Sequence, residues 1–374
     1  MKKIKLLHTI RQGLIGGGET HVLDLVKHLD KERFESFVLS FTDGPMITRL
    51  NEMGVRNTVI YTTKPFDFRV WKPIKTLMQK EQFDLVHAHG TRAASNLLRP
   101  CKKLGTPIIY TVHGWSFHND QKPLIKKLRI ASEKYISDRT TLNISVSQSN
   151  QDTGKAHFGT YHSEVVNNGI DLTKFDPEEG RQSLREEWNI AKDKVVVVCT
   201  MRMTIQKDPL TMIEGFARAV KQAPQLHLVM VGDGELKQAA IDLAKEKGIT
   251  PSVTFQPFRS DIPDVLFSSD IYCLPSLWEG LPIGLLEAMG MKKTVIATNV
   301  DGSRELVANN KNGLLIEAQD PTQLAEALVK LANDTDLRKR FALEARKTIE
   351  TKYNVVQMTR SIESIYSRIL SAES

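Results

Sequence analysis

The chain of 374 residues, 41% hydrophobic and 25% charged, has the composition of an ordinary globular protein and is long enough for two cores rather than one. Its net charge of +7 is uneven, since residues 1–170 hold 25 Lys/Arg against 15 Asp/Glu while residues 171–374 hold 26 against 29. The basic first half suits an anionic partner, such as a membrane surface or a phosphorylated lipid, or is a solvated face; the scatter of its cations argues against nucleic acid.

In chain order, residues 1–10 read as a first strand and not as a signal peptide, because the short apolar stretch is interrupted by His8 and ends at Arg11 without a cleavage pattern. No apolar segment approaches the roughly 20 residues that a membrane helix needs. The runs 4–10, 37–41, 85–89, 108–113 and 142–146 are short and β-branched and alternate with amphipathic stretches, which predicts parallel βαβ units. Gly16-Gly17-Gly18-Glu19 follows the first run and opens a helix. Glycines there let the backbone approach a phosphate or sugar, or serve only the turn. His87 and His89 close one strand and His113 another; each is a candidate to hydrogen-bond a sugar or move a proton, or is a structural histidine.

Turn residues from Asn167 to Asp171, then Asp176 and Pro177, place a domain boundary near 170. Beyond it the pattern repeats at 195–200, 226–231, 253–256, 271–274 and 294–298. Arg202 and Lys207 follow the first of these strands and offer two cations to a leaving phosphate, or to solvent. Gly232-Asp233-Gly234 follows the second, as bare backbone for a nucleotide or as a turn in which Asp233 caps a helix. After the strand at 271–274 come Glu279 and Glu287, separated by Gly280, Pro282 and Gly284. The helix that begins there aims free N–H groups at an anion, and the two acids could grip the two ends of one ligand. Cys101, Cys199 and Cys273 are odd in number and far apart, which argues against a disulfide framework or zinc site and for a reducing, cytoplasmic location. Residues 355–370 carry apolar side chains at helical spacing, a terminal amphipathic helix.

Together these residues resemble glycosyltransferase family 4, whose members are retaining, use nucleotide sugars and have the GT-B architecture. The segment from Glu279 to Met289 is similar to the family's E-x7-E motif, Asn168-Gly169-Ile170-Asp171 to its N-G-V-D junction, and Thr111-Val112-His113-Gly114 to its active-site histidine segment. The resemblance implies an α/β fold of two Rossmann-like parallel-sheet domains facing a central cleft. Residues 1–170 would bind the acceptor, residues 171–354 the nucleotide-sugar donor, and residues 355–374 would form a helix crossing back to the first domain.

It implies further that Glu279 holds the donor sugar and Glu287 the ribose, that Arg202 and Lys207 contact the diphosphate, and that His113 helps position the sugar. Donor contacts are expected from Gly17, Gly232, Asp233, Gly234, Phe258, Arg259, Leu281, Pro282, Ile283, Gly284 and Leu285, and acceptor contacts from Gly18, Glu19 and His89. No cofactor and no metal are expected. The donor would be a nucleoside-diphosphate sugar, by family habit a UDP-sugar, and the acceptor a saccharide or lipid-linked saccharide. The protein would be cytoplasmic, with peripheral contact to the inner face of the plasma membrane. A sugar-nucleotide epimerase of the same architecture, or a binding protein that has lost transfer, are the rival readings.

Overall fold

Parallel strands alternating with helices build two sheets in the computed structural model, which describes residues 3–118 and 121–372. The chain divides into two units, Met1–Gly169 with Val355–Ser374, and Ile170–Asn354. In the first, β1 (Ile4–Ile10), β2 (Phe34–Ser40), β3 (Arg56–Val59), β4 (Leu85–His89), β5 (Ile108–Val112), β6 (Leu142–Ser145) and β7 (Glu164–Val165) lie in the order β3-β2-β1-β4-β5-β6-β7, every pairing parallel. The crossovers are α1 (Gly17–His28), α2 (Pro45–Glu52), α3 (Phe68–Glu81), α4 (Thr91–Leu104), α5 (Pro123–Ser137) and α6 (Gln148–Phe158). Helices cover both sheet faces, so successive residues of the central strand, Leu6, Leu7, His8 and Thr9, are all buried, as in a parallel sheet covered on two sides.

The second unit repeats the plan with β8 (Val195–Thr200), β9 (Leu226–Val231), β10 (Val253–Gln256), β11 (Ile271–Leu274), β12 (Thr294–Thr298) and β13 (Leu314–Ile316), ordered β10-β9-β8-β11-β12-β13 and all parallel. Its helices are α7 (Pro209–Gln222), α8 (Lys237–Glu246), α9 (Ile262–Phe267), α10 (Ile283–Gly290), α11 (Asp301–Leu306), α12 (Pro321–Asn333) and α13 (Thr335–Lys352). Gly215 on α7 lets α12 come close, because a Cβ there would sit 2.7 Å from the Leu324 side chain. The order of connections reverses beside the first strand of each sheet, between β1 and β4 and between β8 and β11. Open α/β sheets bind ligands at that switch point, beyond the strands' carboxyl ends.

The last helix, α14 (Val355–Ala372), belongs to the first unit. Met358, Ile362, Ile365 and Ile369 pack with Leu6, Leu25, Leu29 and Leu85, and the Tyr366 hydroxyl meets His87 Nδ1 at 2.6 Å. Among the described residues, no helix is long and apolar enough to cross a membrane. Sequence reading starts β2 three residues late and misses β3, β7 and β13. These are two- to four-residue strands at or next to a sheet edge, too short to display an alternating pattern.

Candidate functional site

At the second unit's switch point the loop after β8 is stitched to the loop after β11. The Leu277 N–H donates to the Gln206 carbonyl at 2.8 Å and Gln206 Nε2 to the Trp278 carbonyl at 2.9 Å. Lys207 Nζ forms an ion pair with Glu279 Oε1, and both side chains are largely buried. The next residue, Asp208, adopts a left-handed φ of 47° and caps α7 by accepting from the Thr211 N–H. Arg202 lies exposed on the same loop.

Helix α10 begins after Pro282, whose carbonyl accepts from the N–H groups of Leu285 and Leu286. Helical geometry leaves the N–H groups of Ile283 and Gly284 without an intrahelical acceptor, and the helix dipole makes that end favourable to an anion. Leu281, Pro282, Ile283 and Leu285 are buried, so what they offer a ligand is backbone. Gly284 is required by packing: a Cβ would stand 2.5 Å from the Tyr272 hydroxyl and 3.4 Å from Thr200 Oγ1. Burial pushes the Tyr272 phenol well above its ordinary pKa, and the charges of Glu287 and Glu279 add to the shift. Both carboxylates therefore stand near the start of α10, with Glu287 buried on its second turn.

The glycines after β9 have a different reason. Gly232 has φ +135°, and a Cβ would fall 2.1 Å from the Met201 carbonyl oxygen; at Gly234 it would fall 2.3 Å from that of Met203. The Met203 N–H donates to the Asp233 carbonyl and the Leu236 N–H to the Met203 carbonyl, both at 2.9 Å. These glycines thus let two loops lie backbone to backbone. Asp233 does not cap a helix, since α8 starts only at Lys237. Its carboxylate instead accepts from the Phe258 N–H at 2.9 Å and pairs with Lys237 at 2.6 Å, which hold its pKa below the usual range. Phe258 is 48% exposed. The Arg259 guanidinium pairs with Asp261 and Glu187, which raise its pKa.

In the first unit, five histidines gather below the switch point: His8 on β1, His21 on α1, His87 and His89 on β4, and His113 just after β5. His89 Nδ1 lies 3.1 Å from His113 Nε2, and the His21 ring meets the His113 ring edge-on, with centroids 4.8 Å apart. Gly18 sits against His113, where a Cβ would stand 3.5 Å from the ring. Burial lowers the pKa of all five, to about 3 for His8, to about 4 for His21, and well below 6.5 for the other three. They are neutral imidazoles at physiological pH. His113 is thereby fitted to hydrogen-bond a ligand, not to act as a cation.

Two of the residues expected to contact the acceptor have buried side chains. His89 is fully buried and meets His113. Glu19 is also buried, its carboxylate 3.6 Å from Arg11 Nε. Gly17 opens α1 in the first unit, and the other residues expected to contact the donor belong to the second. Trp115 is a core residue, stacked with Phe117 and bonded through Nε1 to the Asn150 carbonyl at 2.8 Å. His8, His21 and Tyr272 were missed; their signal was a polar side chain inside or beside an apolar run. The ring nitrogens of His21, His89 and His113 lie within 4.8 Å of one another, as do those of His8, His87 and His89, and among the described residues these are the groups that could hold a metal ion. Both nitrogens of His87 are engaged, by Tyr366 and Thr111, so this second set is committed to a hydrogen-bond network.

The chain is similar to the crystal structure of Anabaena Alr3699/HepE in complex with UDP-glucose, with TM-score 0.86 at 22% identity over 98% of this chain and 100% of the other. It is similar also to sucrose-phosphate synthase from Thermosynechococcus elongatus, with TM-score 0.84 at 17% identity over 99% and 100% of the two chains. Two Rossmann-like parallel-sheet units of this kind place the protein in the GT-B fold class. The family model for Glycosyltransferase Family 4 matches residues 15–174 and that for Glycosyl transferases group 1 matches residues 180–348. A relative 27% identical over 97% of both chains is the Escherichia coli UDP-Gal:alpha-D-GlcNAc-diphosphoundecaprenol alpha-1,3-galactosyltransferase. The chain belongs to the family 4 glycosyltransferases.

Proposed function

We propose that this glycosyltransferase moves a hexose or N-acetylhexosamine from a UDP-sugar to an acceptor hydroxyl, with retention and without a metal ion, in the synthesis of cell-surface polysaccharide, lipopolysaccharide or glycolipid. The observation that carries the reading is the Lys207–Glu279 pair at the β8/β11 switch point, beside the start of α10. The names of two similar proteins agree with it, one a transferase from UDP-Gal to a diphosphoundecaprenol-linked sugar and one a complex with UDP-glucose.

In this reading Ile170–Asn354 is the donor unit and the first unit takes the acceptor, a saccharide or lipid-linked saccharide presented at the inner face of the plasma membrane. The diphosphate lies on the first turn of α10, Glu287 takes the ribose and Glu279 the sugar hydroxyls. As the bond from the anomeric carbon to the β-phosphate oxygen breaks, Lys207 and Arg202 receive the growing negative charge. The acceptor oxygen attacks from the same face and its proton passes to the departing phosphate. His113, as a neutral imidazole, hydrogen-bonds a sugar hydroxyl.

A nucleotide-release assay over UDP-, GDP- and ADP-sugars, with and without membrane extract, tests the proposal. Release of UDP that depends on added extract and survives a chelator is the expected result. Conversion of the nucleotide sugar without extract would reveal an epimerase, and no turnover with any donor a binding protein.

A further inference from the structure

Two arginines stand at the carboxyl ends of the strands that border the first unit's switch point. Ile10 of β1 is paired with His89 of β4, and His89 with Thr111 of β5, so the residues that follow these strands leave the sheet side by side. Arg11 comes directly after β1, Arg92 lies in the first turn of α4, and His113 comes directly after β5. Arg92 Nη1 donates to the Arg11 carbonyl at 3.0 Å, which carries its guanidinium from α4 across the end of β4 to the end of β1. That bond uses one of several N–H donors, and among the described residues no ion pair engages Arg92. The one carboxylate at hand is Glu19, 3.6 Å from Arg11 Nε, so two part-buried guanidiniums share a single acid. Burial and then the Arg11 charge lower the Arg92 pKa. Burial, His21 and Arg11 lower that of His113, which places the imidazole within reach of the same charge. A tether for the loop after β1 needs neither a cation at position 92 nor a second one beside it. Two like charges held together away from bulk water repel, and an anion between them relieves the cost.

We propose that Arg11 and Arg92 bind a phosphate group carried by the acceptor, next to the sugar that receives the new bond. Guanidiniums arriving from two strand ends suit the several oxygens of a phosphate or diphosphate better than the two of a carboxylate. His113, beside them, then meets a hydroxyl of the sugar that bears the phosphate. The class of acceptor is thereby a phosphorylated saccharide, either a lipid-linked diphosphate sugar or a soluble sugar phosphate. The inference rests on the reading that the first unit takes the acceptor, and its main test needs no sugar transfer.

Inorganic diphosphate is titrated calorimetrically into the full-length protein with UDP at saturation, so that a diphosphate site in the second unit is already filled. Binding is expected in the wild type, weakened about tenfold or more in Arg92→Gln and in Arg11→Gln. Without diphosphate both variants should melt no lower than the wild type, since a repulsion has been removed, and diphosphate should raise the melting temperature of the wild type alone. Equal affinity in the wild type and both variants overturns the proposal, as does equally tight binding of malonate, which would make the site one for carboxylates. Diphosphate binding that both variants lose, in a protein that does not bind UDP, would keep this site and overturn the donor reading. In the release assay, the membrane extract is divided into chloroform–methanol and aqueous fractions. Support by the first assigns the phosphate to a lipid diphosphate and support by the second to a soluble sugar phosphate. Turnover on an uncharged saccharide that matches turnover on either fraction, and that Arg92→Gln leaves unchanged, contradicts the assignment.

Discussion

Glu279 and Lys207 reach each other from loops 72 residues apart in sequence, a meeting that spacing alone does not disclose. The eight-residue interval between Glu279 and Glu287 was legible because it falls within one strand-turn-helix segment. The packing behind it was not: Gly284 reads in sequence as an invitation to a phosphate, whereas in the structure its missing side chain also makes room for Tyr272. Gly284→Ala should cost about 1–3 kcal/mol of stability in the second unit by overpacking and weaken donor binding by displacing the first turn of α10. Adding Tyr272→Phe, which removes the obstructing oxygen, should recover most of the loss in denaturant titrations of the single and double variants. Strictly additive losses would show that the contact is not what demands glycine.

The five histidines show the same limit. His87, His89 and His113 stood out at strand ends, but only the fold reveals that His89 and His21 lie against His113 and that all are neutral. A side chain's neighbours across a parallel sheet come from distant crossovers, and no local pattern encodes them.

Among the elements, the central strands were readable because each is a short, largely apolar run covered on both faces, and α14 because its buried positions recur every three or four residues. The short strands at the sheet margins escaped because they are brief and partly solvated, so neither run nor alternation marks them. Loops were the hardest to read. The glycines of the loop after β9 serve backbone packing against Met201 and Met203, so Gly232→Ala should destabilise the second unit by about 1–3 kcal/mol through its forbidden φ and the carbonyl it would strike. Thermal unfolding followed by calorimetry should show one transition lowered and the other unmoved, because the two units have separate cores. An unchanged profile would mean that the loop relaxes at no cost.

Across the whole molecule, the buried histidines couple stability to acidity. Each has a folded-state pKa below the ordinary 6.5, so the unfolded chain takes up protons that the folded unit refuses. Their contribution is fully present above pH 6.5 and declines as pH falls below it, toward the folded values of about 3 for His8 and about 4 for His21. The slope is about 1.4 kcal/mol per pH unit for each histidine that must charge. The first unit should accordingly melt at progressively lower temperature between about pH 6.5 and about pH 4.5, as seen by circular dichroism. A melting temperature constant across that window would mean the cluster charges without unfolding.

The two-unit plan itself was legible from the repeated strand-helix alternation on either side of residue 170. The central claim is that paired acids and a lysine at the β8/β11 switch point hold a sugar nucleotide for transfer. Its most direct measurement is acceptor-dependent UDP release by Lys207→Ala and Glu279→Ala, each shown to melt as the wild type does. Loss of about 100- to 1,000-fold in kcat for Lys207→Ala, with a comparable loss for Glu279→Ala, is the predicted result. Wild-type turnover in either folded variant would contradict the account.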